Sequence, residues 1–328
     1  MRTIDPSTIP AAESHRYLLT CVAPRPIAFV GTQNSRGEVN LSPFSFFNAF
    51  GANPPVVAFS PAFRGTDGSA KHSFLNIKET GEFTVSVVNY SMVEQMSLAS
   101  ADWPEEIDEF EKAGFTKLPS VNVMPPGVAE SPMVMECRLL DHVDLGGKAS
   151  SGNLMIGEVV MFHIKESVFD GKYPHHDRLD LVARMGGPFY CRASGDAVFE
   201  LPKPTGLGIG FDGLPAQVRD SRVLTGNHLG KLAGITEMPD SDAVRTYWAG
   251  IRESLGTVSP DDMQIEMLGS DPDRVAGAVL MQAKSGTAPE LIADHLHRLA
   301  AFCLDHNERE RAWCALLGQE HVTELAGE

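Results

Sequence analysis

Asn40-Leu-Ser-Pro-Phe-Ser-Phe-Phe-Asn48 is the segment on which the prediction of this fold depends. It mixes three phenylalanines with hydroxyl and amide side chains, and Pro43 stands near its middle. Because proline cannot donate to a sheet ladder, the segment is expected on an edge strand or at a bulge. Apolar rings beside a few polar groups are typical of a pocket for a flat, mostly apolar ligand. For this segment alone, a barrel strand with satisfied polar side chains is an equally good interpretation.

Strand-like segments lie on both sides of it. Apolar runs at 25–32 and 54–60 precede and follow it, and 82–89 alternates apolar with polar residues, as half-buried strands do. Two further strands are predicted at 133–143 and 153–164, with glycines and serines between them that suit a hairpin.

Short helices interrupt these strands. They are predicted at 71–78 and 106–113, and each is followed by a glycine, Gly81 or Gly114, that can adopt a left-handed cap. Strands outnumber helices and the two do not alternate regularly. The N-terminal part is therefore predicted to be an antiparallel barrel rather than a doubly wound parallel sheet.

A stretch rich in glycine and proline near 195–215 separates two regions of different pattern. Beyond it, apolar residues recur at helical spacing, which predicts helices at 241–255, 271–284 and 289–304. We therefore predict a β-rich domain at 1–200 and a helical C-terminal extension at 201–328.

Composition excludes several classes of function. A net charge of −16 disfavours binding to nucleic acid or to anionic membranes, and no apolar run is long enough for a membrane span. The N-terminus lacks the pattern of a secretion signal. The five cysteines are scattered and form no Cys-x-x-Cys pair, which predicts a cytoplasmic protein without structural zinc.

The loop at 63–73 is the best candidate for binding an anion. It combines glycines, hydroxyls and the cations Arg64 and Lys71, and it leads into a predicted helix. The N–H groups at a helix start and nearby cations together bind phosphate. The alternative is an ordinary solvated loop that caps a helix.

Two other motifs are weaker. The glycines at 206–213 do not have the spacing of a dinucleotide fingerprint, and they follow a proline-rich stretch rather than a strand. His175-His176-Asp177 could ligate a metal, but no third spaced ligand accompanies the histidines, so no metal site is predicted.

Eight segments, taken in order and at their spacing, resemble the flavin reductase-like family, whose fold is the FMN-binding split barrel. The resemblance covers about residues 15–192 and rests on residues 25–28, 40–48, 53–60, 71–83, 107–115, 128–132, 157–159 and 183–190. It implies a mainly β fold with α-helices (α+β), namely a split β-barrel followed by the helical extension.

The resemblance also implies a cofactor and the residues that contact it. The implied cofactor is FMN, with FAD as an alternative, bound near the interface of a homodimer. NAD(P)H is the implied transient co-substrate. The implied cofactor-binding residues are Val30, Gly31, Thr32, Ser42, Pro43, Phe44, Ser45, Asn48, Ser60, Arg64, Lys71, Ser73 and Arg184. His72 departs from the family, which often has aspartate there, and its role is left open.

The function expected from the resemblance is that of an oxidoreductase. Electrons would pass from NAD(P)H through flavin to free flavin, an oxygenase partner or a small organic acceptor. No catalytic side chain is assigned, because the flavin supplies the hydride chemistry. Two alternatives stay open: a flavin-binding electron carrier or sensor, and a barrel scaffold whose helical extension docks a partner.

Overall fold

The computed structural model describes residues 1–201, 203, 206–254 and 271–327. The chain forms two compact units, Met1–Glu200 and Leu201–Glu328. The first contains all the strands of the described residues, and the second is helical.

A seven-stranded sheet in the order β2-β1-β5-β8-β9-β4-β3 forms the first unit, and every pairing in it is antiparallel. Its strands are β1 (Ala28–Gln33), β2 (Val39–Phe44), β3 (Phe47–Ala52), β4 (Pro55–Phe59), β5 (Glu82–Val87), β8 (Met133–Asp144) and β9 (Asn153–Ile164). Three small two-stranded sheets pair β6 (Lys117–Leu118) with β7 (Gly127–Val128), β10 (Phe169–Asp170) with β11 (Tyr173–Pro174), and β12 (Leu181–Arg184) with β13 (Tyr190–Ala193).

The two end strands of the large sheet, β2 and β3, are consecutive in the chain and are joined by Ser45 and Phe46. The ladder is therefore interrupted between them, whereas a fully closed barrel has no edges. Pro43 lies in the edge strand β2, as predicted, because it has no N–H to donate to a further strand.

Alternate residues of β1 enter two different cores. Phe29, together with Ile27 just before the strand, packs in one cluster with Leu41 and Phe110, whereas Ala28 and Val30 pack in the other. This is the period-2 pattern expected of a strand that is buried on both faces.

Five α-helices belong to the first unit: α1 (Ala11–Cys21), α2 (His72–Thr80), α3 (Val93–Leu98), α4 (Glu109–Ala113) and α5 (His176–Leu179). Gly81 and Gly114 cap α2 and α4 in the left-handed conformation, as predicted. Helix α4 begins three residues later than predicted, because the Asp108 side chain accepts the N–H of Phe110 and caps the helix there.

The second unit has its own apolar core, which contains Trp248 and Trp313. Its helices are α6 (Ala216–Arg219), α7 (Gly226–Ala233), α8 (Ser241–Ser254), α9 (Pro272–Lys284), α10 (Pro289–Asp305), α11 (Arg309–Leu316) and α12 (Gln319–Gly327). The predicted helical pattern is confirmed, although residue 255 lies outside the described residues. None of the described helices is long and apolar enough to cross a membrane.

Candidate functional site

A cleft that is partly open to solvent lies beside the edge strand β2. Its β2 wall consists of Asn40, Ser42, Pro43 and Phe44, and residues 100–103 and Glu109 also line it. Arg64, Lys71 and His72 complete the lining.

Lys71 is the cation best placed to bind an anion in this cleft. It is the N-cap residue of α2, and its side chain caps no backbone group. Its ammonium group has no hydrogen-bond or ion-pair partner among the described residues. The first N–H groups of a helix lack partners one turn earlier, so the start of a helix beside a cation favours an anion.

Arg64 plays a more structural part in the same loop. Its Nη1 donates to the carbonyl of Ala70 at 2.7 Å and to the Ser69 hydroxyl at 3.2 Å. Its Nε lies 3.5 Å from Oδ1 of Asp102, across the cleft. Arg64 therefore orders the loop that leads to Lys71, and part of its charge is offset by Asp102.

The apolar part of the lining comes from Pro43, Phe44 and Trp103. Phe44 is anchored against Phe59 with ring centroids 5.3 Å apart. The indole N–H of Trp103 donates to the carbonyl of Leu98 at 3.3 Å. The cleft thus has a cationic end at the start of α2 and an apolar surface along β2.

Glu109 is a buried carboxylate in the lining, with a relative exposure of 3%. Its Oε2 accepts the backbone N–H of Leu41 at 3.0 Å. Burial raises the pKa of Glu109, and this effect outweighs the hydrogen bonds from Leu41 and from its own backbone, which lower it.

The structure brings five of the predicted cofactor-binding residues to the cleft: Ser42, Pro43, Phe44, Arg64 and Lys71. Ser73 lies behind Lys71 and is buried, and it is hydrogen-bonded to Asn40.

Val30, Gly31 and Thr32 do not line the cleft. Val30 is part of a core cluster, and Thr32 accepts a hydrogen bond from Asn76 of α2. A Cβ atom on Gly31 would lie 2.4 Å from the carbonyl oxygen of Pro126, so this glycine allows a close approach of two chain segments.

The other four predicted residues also lie outside the lining. The Ser45 hydroxyl accepts a hydrogen bond from Arg25, and Ser60 accepts the N–H of Asn153. Asn48 is exposed on β3. Arg184 stacks on Tyr190 within the β12–β13 hairpin and donates to its hydroxyl.

Sequence reasoning did not assign Asn40, Glu109 and residues 100–103 to the site. Asn40 belongs to the segment that decided the fold, but nothing in its sequence context marks it as a ligand contact. Glu109 sits in an acidic helix start, where a carboxylate is usually explained by the helix dipole. His72, whose role was left open, does line the cleft.

His175, His176 and Asp177 form a group of potential metal ligands among the described residues. The group is partly exposed, and the two imidazole rings stack at 4.1 Å. Oδ1 of Asp177 accepts the N–H of Gly195 at 2.9 Å, so this carboxylate already has a structural role.

Solved structures of other proteins are similar to this chain, and three of them are 27–32% identical to it over the matched residues. Component B of nitrilotriacetate monooxygenase from Bacillus cereus is 32% identical, with a TM-score of 0.58, and the match covers 61% of this chain and 98% of that one. The 2-nitrobenzoate 2-nitroreductase of Pseudomonas fluorescens is 28% identical, with a TM-score of 0.54 and coverages of 61% and 96%.

A split-barrel protein from Shewanella frigidimarina, described as a flavin reductase, is 27% identical with a TM-score of 0.52, and the match covers 60% of this chain and 95% of that one. The flavin reductase like domain matches residues 21–179, which include every residue of the cleft. The first unit is therefore a split barrel, and the chain belongs to the flavin reductase like family of flavin-linked oxidoreductases.

Proposed function

We propose that this protein binds FMN in the cleft and passes electrons from NAD(P)H through it to free flavin, an oxygenase partner or a small organic acceptor. The observation that carries the proposal is the position of Lys71. Its ammonium, which has no partner within the part of the chain that the structure describes, stands at the start of α2 and lines the same cleft as the apolar wall of β2.

The residues present fit FMN at both of its ends. Lys71, the first N–H groups of α2 and Arg64 would hold the phosphate dianion, and Ser73 would support them from behind. Pro43 and Phe44 would face the apolar isoalloxazine ring, and Ser42 would offer it a hydrogen bond. FAD is the alternative cofactor, and it would need room beyond the phosphate for its adenosine.

The other implied contacts remain predictions. Val30, Gly31 and Thr32 are buried and would reach a cofactor through their backbone. Asn48 and Arg184 lie outside the cleft of one protomer, so their contribution depends on the assembled form of the protein.

When bound, the flavin supplies hydride and single-electron transfer. The chain needs to bind it, orient it and limit its contact with water, and no side chain is assigned as an acid or base. The monooxygenase component and the nitroreductase among the similar structures support an oxygenase partner and a small organic acceptor, respectively, as electron acceptors.

A homodimer is part of the proposal. Strand β3 is an edge of the sheet, and every residue after Phe47 in it is exposed, including Phe50 with a relative exposure of 67%. Exposed apolar edge strands promote association, so we expect a second copy to cover this surface. The cytoplasm is the proposed location, and the free state of all five cysteines supports it.

Titration of the protein with FMN, followed by quenching of flavin fluorescence, tests the cofactor. Lys71→Gln should weaken binding by about tenfold or more, because a charge-assisted hydrogen bond to phosphate contributes about 1.5–3 kcal/mol. Lys78→Gln, at the other end of α2, is the matched control and should bind normally. No saturable FMN binding by the unmodified protein would refute the proposal.

Anaerobic mixing of the FMN-loaded protein with NADH or NADPH tests the electron donor. Bleaching of the flavin absorbance is expected with at least one of them. Bound flavin that neither nucleotide bleaches would favour the electron carrier or sensor.

A further inference from the structure

We propose that Glu109, acting through Asn40 and Ser73, holds the β2 wall of the cleft and the start of α2 in position. We also propose that FMN binds with uptake of a proton by these three residues. They are called the Glu109 network below. The inference rests on the proposed function, since it takes FMN as the ligand. It assigns a positioning role to a buried acid that the proposed function does not use.

The network starts at the free edge of the sheet. Strand β2 pairs only with β1, and the N–H of Leu41 is directed at Oε2 of Glu109 at 3.0 Å. An edge strand has no neighbour to accept such donors. Glu109, on α4, therefore takes the place of a missing strand immediately before the wall formed by Ser42, Pro43 and Phe44.

Asn40 carries the connection from α4 to α2. With its amide nitrogen towards Glu109, it donates to Oε1 at 3.3 Å, and its oxygen accepts the Ser73 hydroxyl at 2.9 Å. All three side chains are buried, Asn40 with 6% and Ser73 with 1% exposure. Buried polar groups without partners are costly, so each member of the network depends on the others.

Ser73 lies in the first turn of α2, two residues after Lys71. The network therefore holds the cationic end of the cleft and its apolar wall in a fixed relation. Loss of the Glu109–Asn40 or the Asn40–Ser73 hydrogen bond would allow the start of α2 to move relative to β2.

The hydrogen bonds of the Glu109 network can point in either of two directions. An ionised Glu109 only accepts, so Asn40 donates to it and the Ser73 proton is committed to Asn40. A protonated Glu109 donates to the oxygen of Asn40, whose nitrogen then donates to the Ser73 hydroxyl at the same separation of 2.9 Å. In this second direction the proton of Ser73 becomes free for another acceptor.

Bound FMN favours the second direction. Its phosphate adds negative charge to a cleft in which Arg64, Lys71, His72 and Asp102 are the other charged or titratable groups, and Asp108 precedes Glu109 on its own helix. The ligand also removes water from the lining. Both effects raise the pKa of Glu109 above the value that burial already gives it.

The affinity for FMN must therefore depend on pH. Binding is tightest where Glu109 is protonated in the free protein, and it weakens as the pH rises through the pKa of the free and then of the bound form. The window lies above the ordinary glutamate value of 4.5. His72 also lines the cleft, so its own variant separates its contribution from that of Glu109.

The test measures the dissociation constant of FMN from about pH 5 to about pH 8, with calorimetry in buffers of different ionisation enthalpy to count protons. Glu109→Gln keeps an acceptor for Leu41 and a donor for Asn40, so the network stays satisfied in its second direction. The second ionisation of the FMN phosphate, with a pKa of about 6, contributes equally to every variant. We expect Glu109→Gln to bind FMN with a weaker pH dependence and with less proton uptake than the unmodified protein. His72→Gln is the matched control, and it should retain at least part of the pH dependence and of the proton uptake.

Equal pH dependence and equal proton uptake in Glu109→Gln and the unmodified protein would overturn this inference and leave the proposed function standing. So would their complete loss in His72→Gln. Failure of the unmodified protein to bind FMN at any pH would overturn the proposed function and this inference together. Thermal melting of each variant checks that a change in affinity does not reflect unfolding.

Discussion

The carboxylate of Glu136 and Nε2 of His163 lie 2.6 Å apart on the neighbouring strands β8 and β9. The same carboxylate accepts the N–H groups of Val121 and Asn122, at 2.7 and 2.6 Å. The Glu136 side chain has no exposure to solvent. The buried carboxylate of Glu136 thus links the segment before β7 to β8, the central strand of the sheet.

Glu136→Ala should lower the free energy of unfolding by about 3 kcal/mol, because it removes the buried acceptor shared by His163 and by the N–H groups of Val121 and Asn122. Glu158→Ala, on β9, is the control and should change stability by about 0.5 kcal/mol or less. Urea unfolding measures the loss, and hydrogen exchange of 119–126 shows where it acts. Equal effects of the two variants would contradict the role assigned to Glu136.

Stability should also depend on the ionisation of Glu136. Burial raises its pKa, but the hydrogen bonds from His163, Val121 and Asn122 outweigh burial and lower the pKa below the ordinary 4.5. A group whose pKa is lowered in the folded state stabilises the fold at pH values above its unfolded-state pKa. That contribution is lost as the pH falls through its folded-state pKa. Glu136→Gln should therefore lose less stability than the unmodified protein when the pH falls below 4.5. Parallel acid-unfolding curves would contradict this.

Gly31→Ala should destabilise the first unit by about 1–3 kcal/mol through overpacking. The added Cβ would lie 2.4 Å from the carbonyl oxygen of Pro126 and 2.6 Å from Oγ1 of Thr84. Gly250→Ala is the contrasting control, since its Cβ meets nothing within 4 Å in the interior of α8. That change should stabilise its helix by about 0.5–1 kcal/mol. Unfolding midpoints measure both, and a neutral Gly31→Ala would contradict the close approach.

Trp248→Ala should destabilise the helical unit by about 3–5 kcal/mol. Trp248 is fully buried, and its indole N–H donates to the carbonyl of Cys314 at 3.0 Å. Leu291→Ala, on an exposed position of α10, is the control. Near-ultraviolet circular dichroism reports the loss of packing. The affinity for FMN should not change, since the cleft lies in the first unit. A parallel loss of affinity would show that flavin binding depends on the helical unit.

The sequence predicted those features that depend on local pattern. Pro43 indicated an edge strand, and Gly81 and Gly114 marked the ends of helices, because a missing N–H and a positive φ have the same consequences in any fold. The helices predicted at 271–284 and 289–304 begin at Pro272 and Pro289, where the first helical position tolerates a residue without an N–H.

The candidate site was predicted only in part, because it depends on contacts between distant segments. Lys71 and the wall at Ser42–Phe44 were found from motif and resemblance. Glu109 lies 68 residues from its partner Leu41, and no local pattern reports that a carboxylate will complete the edge of a strand. Val30 and Thr32 were assigned to the cofactor, but the packing of β1 between two cores directs their side chains inward.

The position of Lys71 in an acidic chain has a consequence for the kinetics of FMN binding. The chain carries a net charge of −16, so its long-range field repels the FMN dianion, whereas the attraction of Lys71 acts only at contact. Salt at about 0.1 M screens charges beyond about 10 Å. Added salt should therefore speed association more than it speeds dissociation, and the protein should capture its cofactor faster at moderate than at very low ionic strength.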